Sequence, residues 1–306
     1  MQWFFVALVA PFLWAFVNIA DNYLVSNYSE KEKEHSSGGL VLFSGLIGIV
    51  IMVIIWIFTK GVFGIPFFDK ILLLITGILT ISWIIFYLFA LEIEETSSIV
   101  PWFLSVPIFG YILGYFFLGE TLNTNQLIGS IVVLSGLIFI VIDFSGENKK
   151  VKKKPIFYMV LACLLVAISG VIFKYVTVEG NFWVSSFWEY LGLGSTGLFM
   201  YLFIPKYRRE FMHMNRKGGL KIFILNTVTE LFTISGNLVT NFALLLAPVT
   251  MVYLVGSLQP AIVLFLTIFC TKFFPKIAKE NISHRVLIPK MIAILLMIIG
   301  SAILFI

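Results

Sequence analysis

Two carboxylates, Glu189 and Glu230, stand inside long apolar stretches of this 306-residue chain. An ionisable side chain near a bilayer centre costs roughly 2.5–3.5 kcal/mol on insertion scales, so such a group faces a cavity or a partner rather than lipid. Around Glu230, the residues Asn226, Thr233, Asn237, Thr240 and Asn241 recur at steps of three and four, placing all six within about 100° of one helical face. Ser185, Glu189, Gly192 and Thr196 make a similar stripe. Trp14, Asn18 and Asp21 share one face of the first stretch. A polar stripe of this kind wants water, a solute or another polar helix, the last at typically under 2 kcal/mol per contact. The candidate cavity residues are therefore Trp14, Asn18, Asp21, Ser185, Glu189, Asn226, Glu230, Asn237 and Asn241. A carboxyl shut away from bulk water is also suited to taking up and releasing a proton, which makes Glu189 and Glu230 the candidates for proton coupling. The alternative is a structural carboxyl paired with an asparagine or the backbone.

Other reactive residues form no such constellation. His35, His213 and His284 fall in expected loops or at membrane edges without metal-ligand spacing, so no metal site and no cofactor are expected. Nucleophile elbows and phosphate-cradling glycine loops are absent from the sequence. An intramembrane enzyme using Glu189 and Glu230 as a carboxylate pair, or a non-transporting scaffold, are the rival readings. Cys163 and Cys270 sit in apolar runs, where they pack. Lys174 and Asn22 lie near the ends of two stretches, where Lys174 can snorkel to the interface. Glu92, Glu94 and Glu95 form an acidic trio at a joint, read as solvated charge. Pro107 and Pro260 each interrupt a stretch, with Pro101 nearby, and a proline there permits either a hinge or a static bend. Gly110 with Gly114, and Gly129 with Gly136, allow close helix approach.

The elements that must position these residues are ten apolar runs, at 3–26, 38–59, 70–91, 97–118, 125–143, 156–177, 182–204, 220–246, 249–273 and 286–306. Each meets the roughly 17–20 residues a helix needs to cross the hydrocarbon. Composition agrees: 60% hydrophobic, 12% charged and a mean hydropathy of +1.03, against about 25% charged in a soluble domain. The joints are too short for a separate soluble enzyme domain. The first run lacks a basic leader and a cleavage site, so it is expected to remain as a helix. Expected partners are membrane lipid and a small-molecule solute, with nucleic acid excluded because the basic residues sit beside membrane ends. Monomer and homodimer both stay open. Of 21 lysines and arginines, 18 fall in the odd-numbered joints or at the run ends beside them, Lys31 and Lys33 in the first among them. The positive-inside rule then puts those joints in the cytoplasm and both termini outside, in a multi-pass protein of the cell membrane.

The order of features repeats. Residues 89–110 align without gaps with 242–263, matching Phe89, Ala90, Leu91 and Pro107 to Phe242, Ala243, Leu244 and Pro260. Leu13, Ala15 and Tyr23 fall on Leu165, Ala167 and Tyr175, and Gly136 falls on Gly300. Five runs are an odd number, so a second copy enters the membrane from the opposite side. The expected fold is an all-α membrane protein of ten transmembrane helices, built as two inverted five-helix repeats at 1–145 and 156–306 around a basic linker at 146–155. Such halves typically hold a solute near the midplane between them.

With Gly119-Glu120-Thr121-Leu122 closing the fourth run and Gln126, Leu127, Gly129 and Gly136 following in the fifth, the chain resembles the drug/metabolite transporter superfamily, in its EamA-like ten-helix branch. In the second half the Gly-Glu pair is missing. Pro275, Ile277 and a longer basic joint stand in its place, and Ala293 stands where Gly129 would align. The resemblance implies a secondary carrier, often an exporter, of amino-acid-like, metabolite or drug-like solutes by alternating access, and no enzyme. It also implies cytoplasmic termini, the reverse of the charge count.

Overall fold

The computed structural model describes residues 2–28, 37–94, 96–141, 153–274, 277 and 284–303, all helical apart from short joints. The helices are α1 (Gln2–Tyr28), α2 (Gly38–Phe58), α3 (Phe67–Leu91), α4 (Thr96–Ile99), α5 (Val106–Leu118) and α6 (Thr124–Val141), followed by α7 (Lys153–Thr177), α8 (Phe182–Phe203), α9 (Pro205–Leu246), α10 (Val249–Val255), α11 (Gln259–Phe273) and α12 (His284–Ile303). Among the described residues, seven helical segments are long and apolar enough to cross a membrane: α1, α2, α3, Val100–Leu118, α7, α9 and Val249–Phe273. The chain is a multi-pass integral membrane protein. Helices α6, α8 and α12 occupy the other three expected runs. In α8 the residues Ser185, Ser186, Glu189, Ser195 and Thr196 dilute the apolar character.

Packing pairs helices that are distant in sequence. Helix α3 lies along α7 and α8, while α9 lies along α1 and α2; α2 also packs on α8, and α6 on α12. Helix α5 meets α7, and α11 meets α1. Glycines set the closest of these approaches. A Cβ on Gly77 would stand 2.1 Å from the Glu189 carbonyl oxygen, and one on Gly192 would stand 2.2 Å from that of Leu74. Gly110 faces Tyr253 and Val249, and the Gly129 carbonyl lies against Gly300.

Two spans are broken rather than kinked. Val100–Ser105 forms a 3-10 turn before α5, and Gly256–Leu258 forms another between α10 and α11. Pro107 and Pro260 therefore sit in the first turns of α5 and α11, where a missing N–H leaves no helical bond unmade. This corrects the picture of prolines interrupting continuous helices.

The basic stretch expected as the seventh joint is also helical. Residues 205–218 form the first part of α9, which includes His213, and Gly219 breaks that helix at φ 58°, ψ −158°. The segment docks on the start of α2, where Glu210 Oε2 accepts the Gly38 N–H at 3.0 Å. Glu92 Oε1 accepts the neighbouring Ser37 N–H at 2.7 Å, so this member of the acidic trio caps a helix rather than standing solvated. Glu95, Lys31, Lys33, Pro275 and residues 146–152 of the expected linker lie outside the described residues, whereas Lys153–Pro155 already belong to α7.

Candidate functional site

Side chains of α1, α2, α3, α7, α8, α9 and both broken spans converge on a cavity of about 130 Å³. Seven of the nine candidate residues line it: Trp14, Asn18, Asp21, Glu189, Glu230, Asn237 and Asn241. From α1, Trp14 lies against α9 at Gly236, where an added Cβ would stand 2.6 Å from the indole nitrogen. Asn18 follows one turn on, and its Oδ1 accepts the Tyr87 hydroxyl at 2.8 Å. Asp21 stands beside Tyr87, within electrostatic reach of Glu230.

The two glutamates approach from different helices. Glu189 is buried and its Oε2 accepts Asn241 Nδ2 at 2.8 Å. The Gly77 and Gly192 contacts that press α3 against α8 fix the backbone around it. Glu230 Oε1 accepts the hydroxyl of Ser44 on α2. A carboxyl held by a single neutral donor keeps other lone pairs open to a proton or a guest.

Ser185 and Asn226 lie outside the lining, which corrects their place among the cavity residues. Ser185 is buried in the first turn of α8, one turn short of Glu189. Asn226 is one turn before Glu230, but its Nδ2 faces Met214 Sδ at 3.7 Å, because the basic segment of α9 comes to that part of the stripe. The polar face of α9 thus runs past the cavity into a helix contact. On α8, Gly192 is a packing glycine and Thr196 bonds its own backbone at Gly192.

Sequence periodicity passed over more than half the wall. Ser44, Thr80, Trp83, Tyr87 and Phe103 come from α2, α3 and the first 3-10 turn, and Ser169, Tyr253 and Gln259 from α7 and the second broken span. Lone hydroxyls and aromatics inside apolar runs carry no stripe to reveal them. Tyr253 reaches the cavity because Gly170 leaves room for its hydroxyl, which donates to the Val166 carbonyl at 3.1 Å.

A second polar centre lies apart from the cavity. Lys174 Nζ pairs with Glu120 Oε1 at 2.6 Å and donates to the Ala247 carbonyl at 2.6 Å. Glu120 Oε2 accepts the Val249 N–H at 2.7 Å, capping α10. The ends of α5, α7 and α9 are thereby tied to the start of α10. Lys174 points inward, contrary to the snorkelling expected of it. Cys163 donates its thiol to the Trp102 carbonyl at 3.2 Å, and neither cysteine is in a disulfide.

Residues 1–142 match the EamA-like transporter family. No curated protein matches the chain by sequence. Among the solved structures that match, one described as a crystal structure of a protein is similar over 99% of this chain and 95% of its own, at a TM-score of 0.62 and 13% identity. That likeness concerns the fold.

Proposed function

We propose that this membrane protein, whose residues 1–142 match the EamA-like transporter family, is a secondary carrier, exporting a small metabolite, amino-acid-like or drug-like solute by alternating access. The observation that carries the reading is the cavity, to which both halves of the chain contribute carboxyls: Asp21 from one, Glu189 and Glu230 from the other.

Two inverted five-helix repeats, 1–145 and 156–306 joined by the basic linker, would account for the packing. Exchanging the halves maps α3 on α7 onto α9 on α1, α3 on α8 onto α9 on α2, and α5 on α7 onto α11 on α1. The same exchange maps the α2–α8 and α6–α12 pairs onto themselves, as an approximate dyad requires. The matched prolines each follow a 3-10 turn, and in this reading those turns are the hinges that let the spans bend during the access change. Glu189 and Glu230 are assigned the proton-coupling role, and the odd-numbered joints are assigned to the cytoplasm of a cell-membrane protein.

Sealed vesicles holding the purified chain test this reading with a small-metabolite panel, with and without a proton gradient. The expected result is one solute recovered unchanged on the other side and driven by the gradient. A chemically modified product would favour an intramembrane enzyme instead, and no movement of any solute would favour a scaffold.

A further inference from the structure

The charge of the cavity wall goes in one direction. Asp21, Glu189 and Glu230 line it, and no lysine, arginine or histidine among the described residues does so. Ser44 and Asn241 each give a glutamate one neutral donor. Such a donor occupies a lone pair but supplies no counter-charge, and an ionised carboxylate without a cation is costly in a low-dielectric interior. Lys174, outside the lining, is already engaged by Glu120.

The apolar part of the wall is aromatic. Trp83 and Phe103 meet edge to face with centroids 6.2 Å apart, and Tyr87 lies 5.8 Å from Phe103. Trp14 and Tyr253 complete the aromatic lining. Ring faces attract ammonium groups, and more strongly in a desolvated site than in water. Asn18 adds an independent requirement. It is 4% exposed and lines the cavity, yet its Nδ2 is buried without a hydrogen-bond partner. An acceptor atom on the guest would satisfy that donor. A cavity of roughly 150 Å³ holds benzene. The 130 Å³ here therefore suits a guest of similar size.

We propose that the solute is a small organic cation, a quaternary or protonated amine with one hydrogen-bond acceptor, its charge held between Asp21 and Glu230 and its alkyl groups against Trp83 and Tyr87. This assignment rests on the carrier reading above. It excludes anions and uncharged sugars as main cargo, since neither offers the wall a positive charge.

Choline, which joins a quaternary ammonium to a hydroxyl, is the probe. Proteoliposomes of the full chain are loaded in turn with choline, threonine, gluconate and mannitol, and 3,3-dimethyl-1-butanol serves as the uncharged isostere in competition. The expected result is saturable choline movement that the isostere does not inhibit. Asp21→Asn and Trp83→Ala should each weaken choline binding roughly tenfold or more, as the loss of a desolvated cation contact implies. Asp21→Glu and Trp83→Phe should retain it, separating lost recognition from lost folding. Movement of threonine, gluconate or mannitol without choline would overturn the cation assignment and leave the carrier standing. Movement of none would overturn both, and choline movement unchanged in an Asp21→Asn, Glu230→Gln double variant would overturn the assignment alone.

Discussion

Glu230 joins α9 to α2 through the Ser44 hydroxyl, and Glu189 joins α8 to α9 through Asn241. Each carboxyl is thus both a tether between helices and a group open to the cavity. If protons travel through Glu230, Glu230→Gln keeps the size and the Ser44 contact but removes the exchangeable carboxyl proton. Solute movement should then lose its dependence on the proton gradient. Gradient-driven transport by that variant at the parental rate would take Glu230 out of the coupling path. Periodicity exposed Glu230, Asn237 and Asn241 because a polar stripe on an apolar helix has few other causes. It also drew in Asn226, because a stripe does not record where a cavity ends and a helix contact begins. The sulfur of Met214 meets Asn226 there, and nothing in the spacing of α9 announces it.

At the scale of elements, glycines decide how close the polar faces come. Gly77 abuts the Glu189 carbonyl oxygen and the Leu193 nitrogen, so a larger side chain must push α3 off α8. Gly77→Val should cost about 1–3 kcal/mol or more through overpacking and lower the thermal unfolding midpoint, as well as weakening solute binding. An unchanged midpoint would mean that α3 and α8 have slack the packing does not suggest. The Lys174–Glu120 pair is the second device, with side chains 12% and 14% exposed. Breaking a largely buried pair leaves an uncompensated charge and costs about 3 kcal/mol or more. If this tie closes the cavity on the side of the even-numbered joints, Lys174→Ala should bias the protein open on that side and raise solvent exchange at backbone amides of α10. Equal exchange in the variant and the parent would make the pair a static clamp. The Gly119-Glu120 motif was legible in sequence, but its partner was not, because Lys174 is 54 residues away and reads as an ordinary helix-end lysine.

For the whole molecule, the apolar runs foretold the helices closely: run 38–59 corresponds to Gly38–Phe58, and run 182–204 to Phe182–Phe203. Hydrophobic length is set by the bilayer, so it survives in any sequence that crosses one. The helical basic segment before Gly219 was hidden because its charge resembled a loop and its contact with α2 is made only in three dimensions. The exchange of packing partners was equally hidden, since collinear matches such as Pro107 with Pro260 indicate order and not neighbours. If the basic joints face the cytoplasm, a tag on the C-terminus should be labelled on intact cells by an impermeant reagent. Protection of that tag until the cells are opened would reverse the sidedness.

The claim on which the account depends is that one central cavity opens alternately to the two sides. Thr233, which lines it, can be changed to cysteine in a background where Cys163 and Cys270 are alanine. An impermeant thiol reagent is then applied to right-side-out and to inverted vesicles, with and without solute. The account predicts labelling from both sides, each protected by the transported solute. Labelling confined to one side under every condition would contradict it.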